Sequence, residues 1–202
     1  MKKTSRQSQT VRYFLIGILA ALLVGGAIAY AIQISTPPVT VPLVATNGKQ
    51  VNVEVSGKPT VVVFFATWCP FCAYDAKWVL PAFAKRVQQA GGRVIGVQAS
   101  LQLGQGIPGP LGQPQLGQDG SHYQPPASKE QSMSLAELKR YKKTFYLNYP
   151  LYFDPALHYT MSMGVSSYPS FAFLNASGKM VAGLAGAQSG SALWSDYQKA
   201  AQ

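Results

Sequence analysis

The chain has 202 residues, 48% of them hydrophobic, with 17 Lys plus Arg against 7 Asp plus Glu and only 2 Cys. This hydrophobic fraction suits a packed core and excludes wholesale disorder, while two cysteines exclude a multi-disulfide scaffold and a four-cysteine zinc site. Of the formal charge of +10, four belong to Lys2, Lys3, Arg6 and Arg12, and the remaining +6 reflects scarce acids rather than a dense basic face, so no nucleic-acid partner is expected.

Residues 1–12 form a basic tail, and Tyr13 to Ile32 follow as an apolar run without a charge. About 20 residues at about 1.5 Å rise match the roughly 30 Å hydrocarbon core of a bilayer. With positive charge on its N-terminal side only, the run reads as a single-pass anchor at 13–32. The tail would then be cytoplasmic and the rest extracytoplasmic, on the periplasmic side of the cell membrane. A cleaved signal peptide is the competing reading, because Ala27-Ile28-Ala29 and Ala29-Tyr30-Ala31 fit a small-x-small cleavage pattern, although the run exceeds the usual signal core of about 7–15 residues.

A Pro-containing tether over 33–42 leads into a domain at 43–202. Val39 to Val44 and Gln50 to Val55 read as a hairpin around Asn47-Gly48. Thr60 to Ala66, continuously β-branched and aromatic, reads as a buried central strand. A helix is expected from Pro70 to Gln89, with proline in its first turn and Gly91-Gly92 beyond its end, followed by a buried strand at Arg93 to Ala99. Strand, helix, strand is the signature of a parallel pair. From about 101 to 133 the pattern collapses into Gly, Gln, Pro and Ser and reads as a flexible insertion. A capping box, Ser134 with Glu137, opens a helix to Phe145 whose Lys139, Arg140, Lys142 and Lys143 read as a solvated face. A strand at Leu151 to Phe153, a short helix at Pro155 to Met163, strands at Ser170 to Leu174 and Lys179 to Leu184, and a helix at Ser191 to Ala201 complete the chain. His122 and His158 read as polar surface.

Both cysteines lie in Trp68-Cys69-Pro70-Phe71-Cys72, where the buried strand turns into a helix. A disulfide between residues three apart closes too small a loop to stabilise the fold appreciably. A thiol at a helix N-terminus, in contrast, has its thiolate stabilised by free N–H groups and the helix dipole, which suits it to attack disulfides. Cys69 is therefore expected to be the exposed attacking thiol, and Cys72, one turn deeper, the resolving thiol. Two thiolates also suit Cu(I), so a copper carrier is an alternative, though no third cysteine or nearby histidine supports it and no metal site is assigned.

The segment Val61 to Cys72 with Trp68 before the pair, Tyr168-Pro169 opening a strand, and Phe171 to Gly178 as strand and turn resemble the thioredoxin superfamily. Hairpin, anchor and insertion resemble its extracytoplasmic branch of TlpA-like and ResA-like thiol-disulfide oxidoreductases. The resemblance implies an α/β thioredoxin-like fold, a central mixed sheet flanked by helices, with an N-terminal hairpin and transmembrane helix. It implies an enzyme with no cofactor besides a redox-active Cys69–Cys72 disulfide. Its partners would be extracytoplasmic proteins with disulfides or thiols and a membrane or periplasmic redox partner. Pro169 matches the family's cis-proline beside the pair, and Tyr168, Trp68, Pro70 and Phe71 fall where substrate is met; Trp68 reads equally well as core packing. Where many thioredoxins carry a buried acid this chain has Val63, so a proton acceptor for Cys72 must come from elsewhere. Asp75, three residues after Cys72 where the branch often has Glu, shares its helix face and can take that proton directly or through one water. An exposed Asp75 that merely supports the helix N-terminus is the plainer alternative. The resemblance favours a reductant, as in cytochrome c maturation or metal-site assembly, with an oxidative-folding oxidase as alternative.

Overall fold

In the computed structural model, which describes residues 15–23, 37–99 and 134–202, the chain divides into two units, Met1–Pro38 and Val39–Gln202. In the first, helix α1 covers 15–23 with every side chain exposed. Among the described residues no helix is long and apolar enough to cross a membrane. The tail at 1–12, most of the expected anchor at 13–32 and the expected insertion at 101–133, with His122, lie outside the described residues.

The second unit is built on strands β1 (Thr40–Ala45), β2 (Gln50–Glu54), β3 (Thr60–Phe65), β4 (Arg93–Ala99), β5 (Leu151–Asp154), β6 (Ser170–Leu174) and β7 (Met180–Ala185). They form one sheet in the order β2-β1-β5-β4-β3-β6-β7. Its helices are α2 (Pro70–Trp78), α3 (Leu80–Gln89), α4 (Leu135–Thr144), α5 (His158–Ser162) and α6 (Gly190–Ala200). β4 runs parallel to both β3 and β5, while β6 is antiparallel to β3, so the sheet is mixed as expected. All six residues of β3 are buried, which is why its sequence shows no polar alternation. Gly96 on β4 pairs with Val63, and a Cβ there would collide with Leu151 and press on Phe65 and Tyr149.

Three elements differ from expectation for local reasons. β1 starts at Thr40, so the end of the expected tether belongs to the sheet. Val55 N–H donates to Val39 C=O and Ala45 N–H to Lys49 C=O, so odd-numbered residues of β1 carry the bonds to β2 and Pro42 needs no N–H there. The single helix expected from Pro70 to Gln89 is broken at Val79, because Pro81 has no N–H to continue the ladder and its ring crowds the preceding turn. α5 is shorter than expected because Leu157 sits in the left-handed region at φ 61°. Its start is held from β5, where Asp154 Oδ2 accepts the Thr160 N–H at 2.8 Å and hydroxyl at 2.7 Å. The hairpin turn and the Ser134 cap form as read, with Ser134 Oγ accepting Glu137 N–H at 3.1 Å. Lys139, Arg140 and Lys143 face solvent, and Arg140 binds both carboxylate oxygens of the buried Glu137.

Candidate active site

β3 ends at Phe65, and a short turn delivers Cys69 to the N-cap of α2 in extended conformation, φ −81° and ψ 119°. Pro70 follows at the first helical position, where a missing N–H leaves nothing unsatisfied. Cys69 Sγ accepts the backbone N–H of Cys72 at 3.2 Å, filling the capping place that a Ser or Asp oxygen usually takes. The thiol of Cys69 donates to Tyr168 C=O at 3.7 Å, which ties the pair to the loop before β6. Both cysteines are free thiols.

Cys69 departs from expectation in one respect: its exposure is 4%, beside 2% for Cys72. The two sulfurs are separated by electrostatics rather than by exposure. The Cys72 thiol, hydrogen-bonded to the Cys69 sulfur, holds the Cys69 pKa below its usual value; burial opposes this, and the backbone N–H groups of Cys72 and Phe71 reinforce it. Burial drives Cys72 well above the usual thiol range, with its hydrogen bond to Cys69 and the charge of that sulfur adding to the rise. When the pair loses one proton, hydrogen bonding places the charge on Cys69 and burial keeps the remaining proton on Cys72. Pro70 and Phe71, between the two cysteines, are exposed. Trp68 is half-buried, its ring edge-on to Tyr168 at 6.2 Å, so it lies beside the pair and packs on the core at once. The Tyr168–Pro169 bond is cis, as expected.

Asp75 is fully buried, which removes the reading of an exposed helix-end charge. Burial raises its pKa from 3.8 to about 7. The Gln188 N–H opposes that rise, yet it lies outside hydrogen-bonding geometry, and neither carboxylate oxygen has a hydrogen-bond partner. Cys72 and Asp75 line one cavity of about 10 Å³, walled by Val63, Phe65, Tyr149 and Pro169. That is about the space one water needs. Val63 thus borders the same small space into which Asp75 brings a carboxyl from the helix.

Two tyrosines that the sequence does not single out enter the site. Tyr149 walls the cavity, and Tyr141, stacked on Phe65 at 5.0 Å, donates its hydroxyl to Cys72 C=O at 2.8 Å. Tyr141 belongs to the apolar stripe Leu138, Tyr141, Phe145, whose spacing marks a buried helix face; nothing in that spacing reveals a bond to a residue 69 positions away. Tyr141→Phe is expected to destabilise the reduced protein by about 1 kcal/mol, the net value of one such bond. At about 2–4 °C per kcal/mol this is a small, measurable fall in the thermal unfolding midpoint. His158 opens α5, away from these contacts, and among the described residues no three or more His, Cys, Asp or Glu gather as a metal site.

The Redoxin family profile matches residues 33–195. No curated protein sequence matches the chain at a significant level. Among solved structures, the chain is similar to a putative thiol:disulfide interchange protein DsbE from Chlorobium tepidum, with 15% identity, 82% of this chain and 95% of that one covered, and a TM-score of 0.58. It is similar to StoA from Bacillus subtilis, at 13% identity over 78% and 95% with a TM-score of 0.53. A third likeness is the exposed lipoprotein thioredoxin Etrx1 from Streptococcus pneumoniae, at 23% identity over 80% and 99% with a TM-score of 0.53. At these identities the likeness establishes a shared thioredoxin-like fold.

Proposed function

Since the chain belongs to the Redoxin family, we propose that its Cys69–Cys72 pair exchanges disulfides with protein partners as a membrane-anchored, extracytoplasmic reductant of the TlpA-like and ResA-like kind. The protein is a thiol-disulfide oxidoreductase and uses no cofactor beyond its redox-active cysteines. The observation that carries the reading is the Cys69 sulfur capping the start of α2, where it accepts the Cys72 N–H, with a buried carboxyl sharing a cavity with Cys72.

In the forward direction the Cys69 thiolate attacks one sulfur of a substrate disulfide. A Cys69–substrate disulfide forms, and the second substrate sulfur leaves as a thiolate that takes a proton from solvent. Cys72 then loses its proton to the Asp75 carboxylate, directly or through one water, and attacks the Cys69 sulfur. The substrate leaves with two thiols, the pair becomes a disulfide, and two electrons have passed to the substrate. Run backwards, the same steps oxidise it.

The charge of Asp75 opposes ionisation of both thiols. The reductant direction follows the resemblance of the pair and its setting to the TlpA-like and ResA-like branch. The uncharged run at 13–32 with basic residues on one side only supports the extracytoplasmic placement. Equilibration of the full chain with glutathione buffers, read by thiol alkylation, tests the direction. A potential near about −270 mV, as thioredoxin has, is expected; one near about −120 mV would make the protein an oxidant.

A further inference from the structure

Few large apolar side chains are exposed among the described residues of Val39–Gln202, and three of them share α2: Phe71, Tyr74 and Trp78, at 63%, 50% and 51% exposure. Spacing of three and then four residues aligns them in one ridge. The opposite face of the helix already supplies the core through Cys72, Ala73, Asp75 and Ala76, so packing does not require aromatic residues on the outer one. The ridge begins between the two cysteines and is continuous with the surface a substrate disulfide must approach. At its far end the break at Val79 opens a groove of about 250 Å³ lined by Trp78, Val79, Ala82, Phe83, Arg86 and Gly190.

On α2 and α3 the exposed charge beside this surface has one sign. Lys77 Nζ lies 4.6 Å from the centroid of the Trp78 ring, and the Arg86 guanidinium lines the groove while stacked 3.6 Å over Trp194. Lys85 is exposed beside them. α2 and α3 contain no Glu, and their one Asp is the buried Asp75.

We propose that the ridge and groove dock the substrate protein's chain beside its reactive cysteine, selecting a large apolar side chain about four residues from that cysteine with acidic residues next to it. The proposal rests on the exchange reading above and adds the substrate's recognition signal. The spacing follows from geometry: Trp78 is nine residues beyond Cys69, about 14 Å along a helix, and an extended chain advances about 3.3 Å per residue. The groove is concave and sized for one side chain, which suits a peptide better than the flat face of a bilayer. A second copy of this chain is disfavoured because a two-fold contact would set Lys77 and Arg86 against their own like charges.

The test uses the reduced full chain and the symmetric disulfide of a peptide Cys-Gly-Ser-Gly-Trp-Glu-Glu. Two companion peptides carry Ser for Trp or Lys for both Glu, and hydroxyethyl disulfide serves as the small reference. In each case the Cys69 thiolate attacks one sulfur, one peptide leaves as a thiolate, and Cys72 releases the second. Second-order rate constants, each divided by that for hydroxyethyl disulfide, are expected to be at least tenfold higher for the Trp/Glu peptide than for either companion. Trp78→Ala, checked for cooperative unfolding, is expected to erase the Trp preference. Lys77→Glu, a surface change that keeps the test open should Trp78→Ala misfold, is expected to invert the preference between acidic and basic peptides. Preferences within twofold in the wild type, or unaltered in Lys77→Glu, would overturn the docking surface while leaving the exchange reading in place. Failure to reduce even hydroxyethyl disulfide would overturn both. Binding of the ridge to phosphatidylglycerol vesicles, or self-association removed by Trp78→Ala, without peptide preference would overturn the proposal in favour of a bilayer or a second copy.

Discussion

Asp75→Asn is expected to raise the thermal midpoint of the reduced protein at pH 8 by on the order of 10 °C and to slow resolution of the mixed disulfide by on the order of a hundredfold. Both effects come from one buried carboxyl whose pKa is lifted from 3.8 to about 7. Below pH 3.8 the group is protonated in folded and unfolded chains alike. As pH rises toward 7 the unfolded chain releases that proton while the folded one keeps it, so stability falls through this window and the loss is complete above about 7. At about 1.36 kcal/mol per pH unit, the loss is about 4 kcal/mol. The neutral Asn escapes it, less the effect of burying an amide in its place. Thermal unfolding of wild type and variant should therefore converge near pH 4 and diverge by pH 8, whereas curves that stay parallel would mean Asp75 is not buried and neutral in the fold. The kinetic arm has its own sign: in the wild type the second step should accelerate as pH rises through about 7, where Asp75 becomes an acceptor, and the variant should lack that inflection.

Cys72→Ser should accumulate mixed disulfides with the protein's natural partners at yields at least about a hundredfold above those of Cys69→Ser. Near neutral pH the surviving Cys72 of the second variant is held protonated by its burial, so it attacks nothing. The surviving Cys69 keeps the backbone N–H groups of residues 71 and 72, and a serine hydroxyl at 72 still donates to its sulfur in place of the lost thiol. Cys72→Ala removes that donor, and trapping should proceed more slowly than in Cys72→Ser at the same pH. Non-reducing gels of whole-cell extracts after acid quench read all three. Equal trapping by the two serine variants would contradict the assignment of attacking and resolving thiols.

How much of this was legible in the sequence depends on the range of each interaction. The order of strands and helices follows from local apolar period, from Asn47-Gly48, and from Ser134 before Glu137, and these hold. The break at Val79 was written in Pro81, whose missing N–H outweighs an otherwise continuous helical pattern. At the site, the spacing of Cys69 and Cys72 at a strand–helix junction marked the chemistry, and the three-residue step to Asp75 marked its helix face. Burial was not legible: the covering of Cys69 and the full enclosure of Asp75 depend on contacts with Tyr168, Pro169, Tyr141 and Tyr149, which lie some 70 to 100 residues away. The exposure of Tyr74 and Trp78 was hidden for the opposite reason, since aromatic residues at helical spacing ordinarily mark a core face.

The most direct measurement is a rapid-quench mass analysis of the reduced full chain mixed with a disulfide-bonded protein. The account predicts that the first adduct is carried on Cys69 alone. A Cys69–Cys72 disulfide should then replace it, with one substrate disulfide lost for each one formed. A first adduct on Cys72, or formation of the internal disulfide without an equal loss of substrate disulfide, would contradict it.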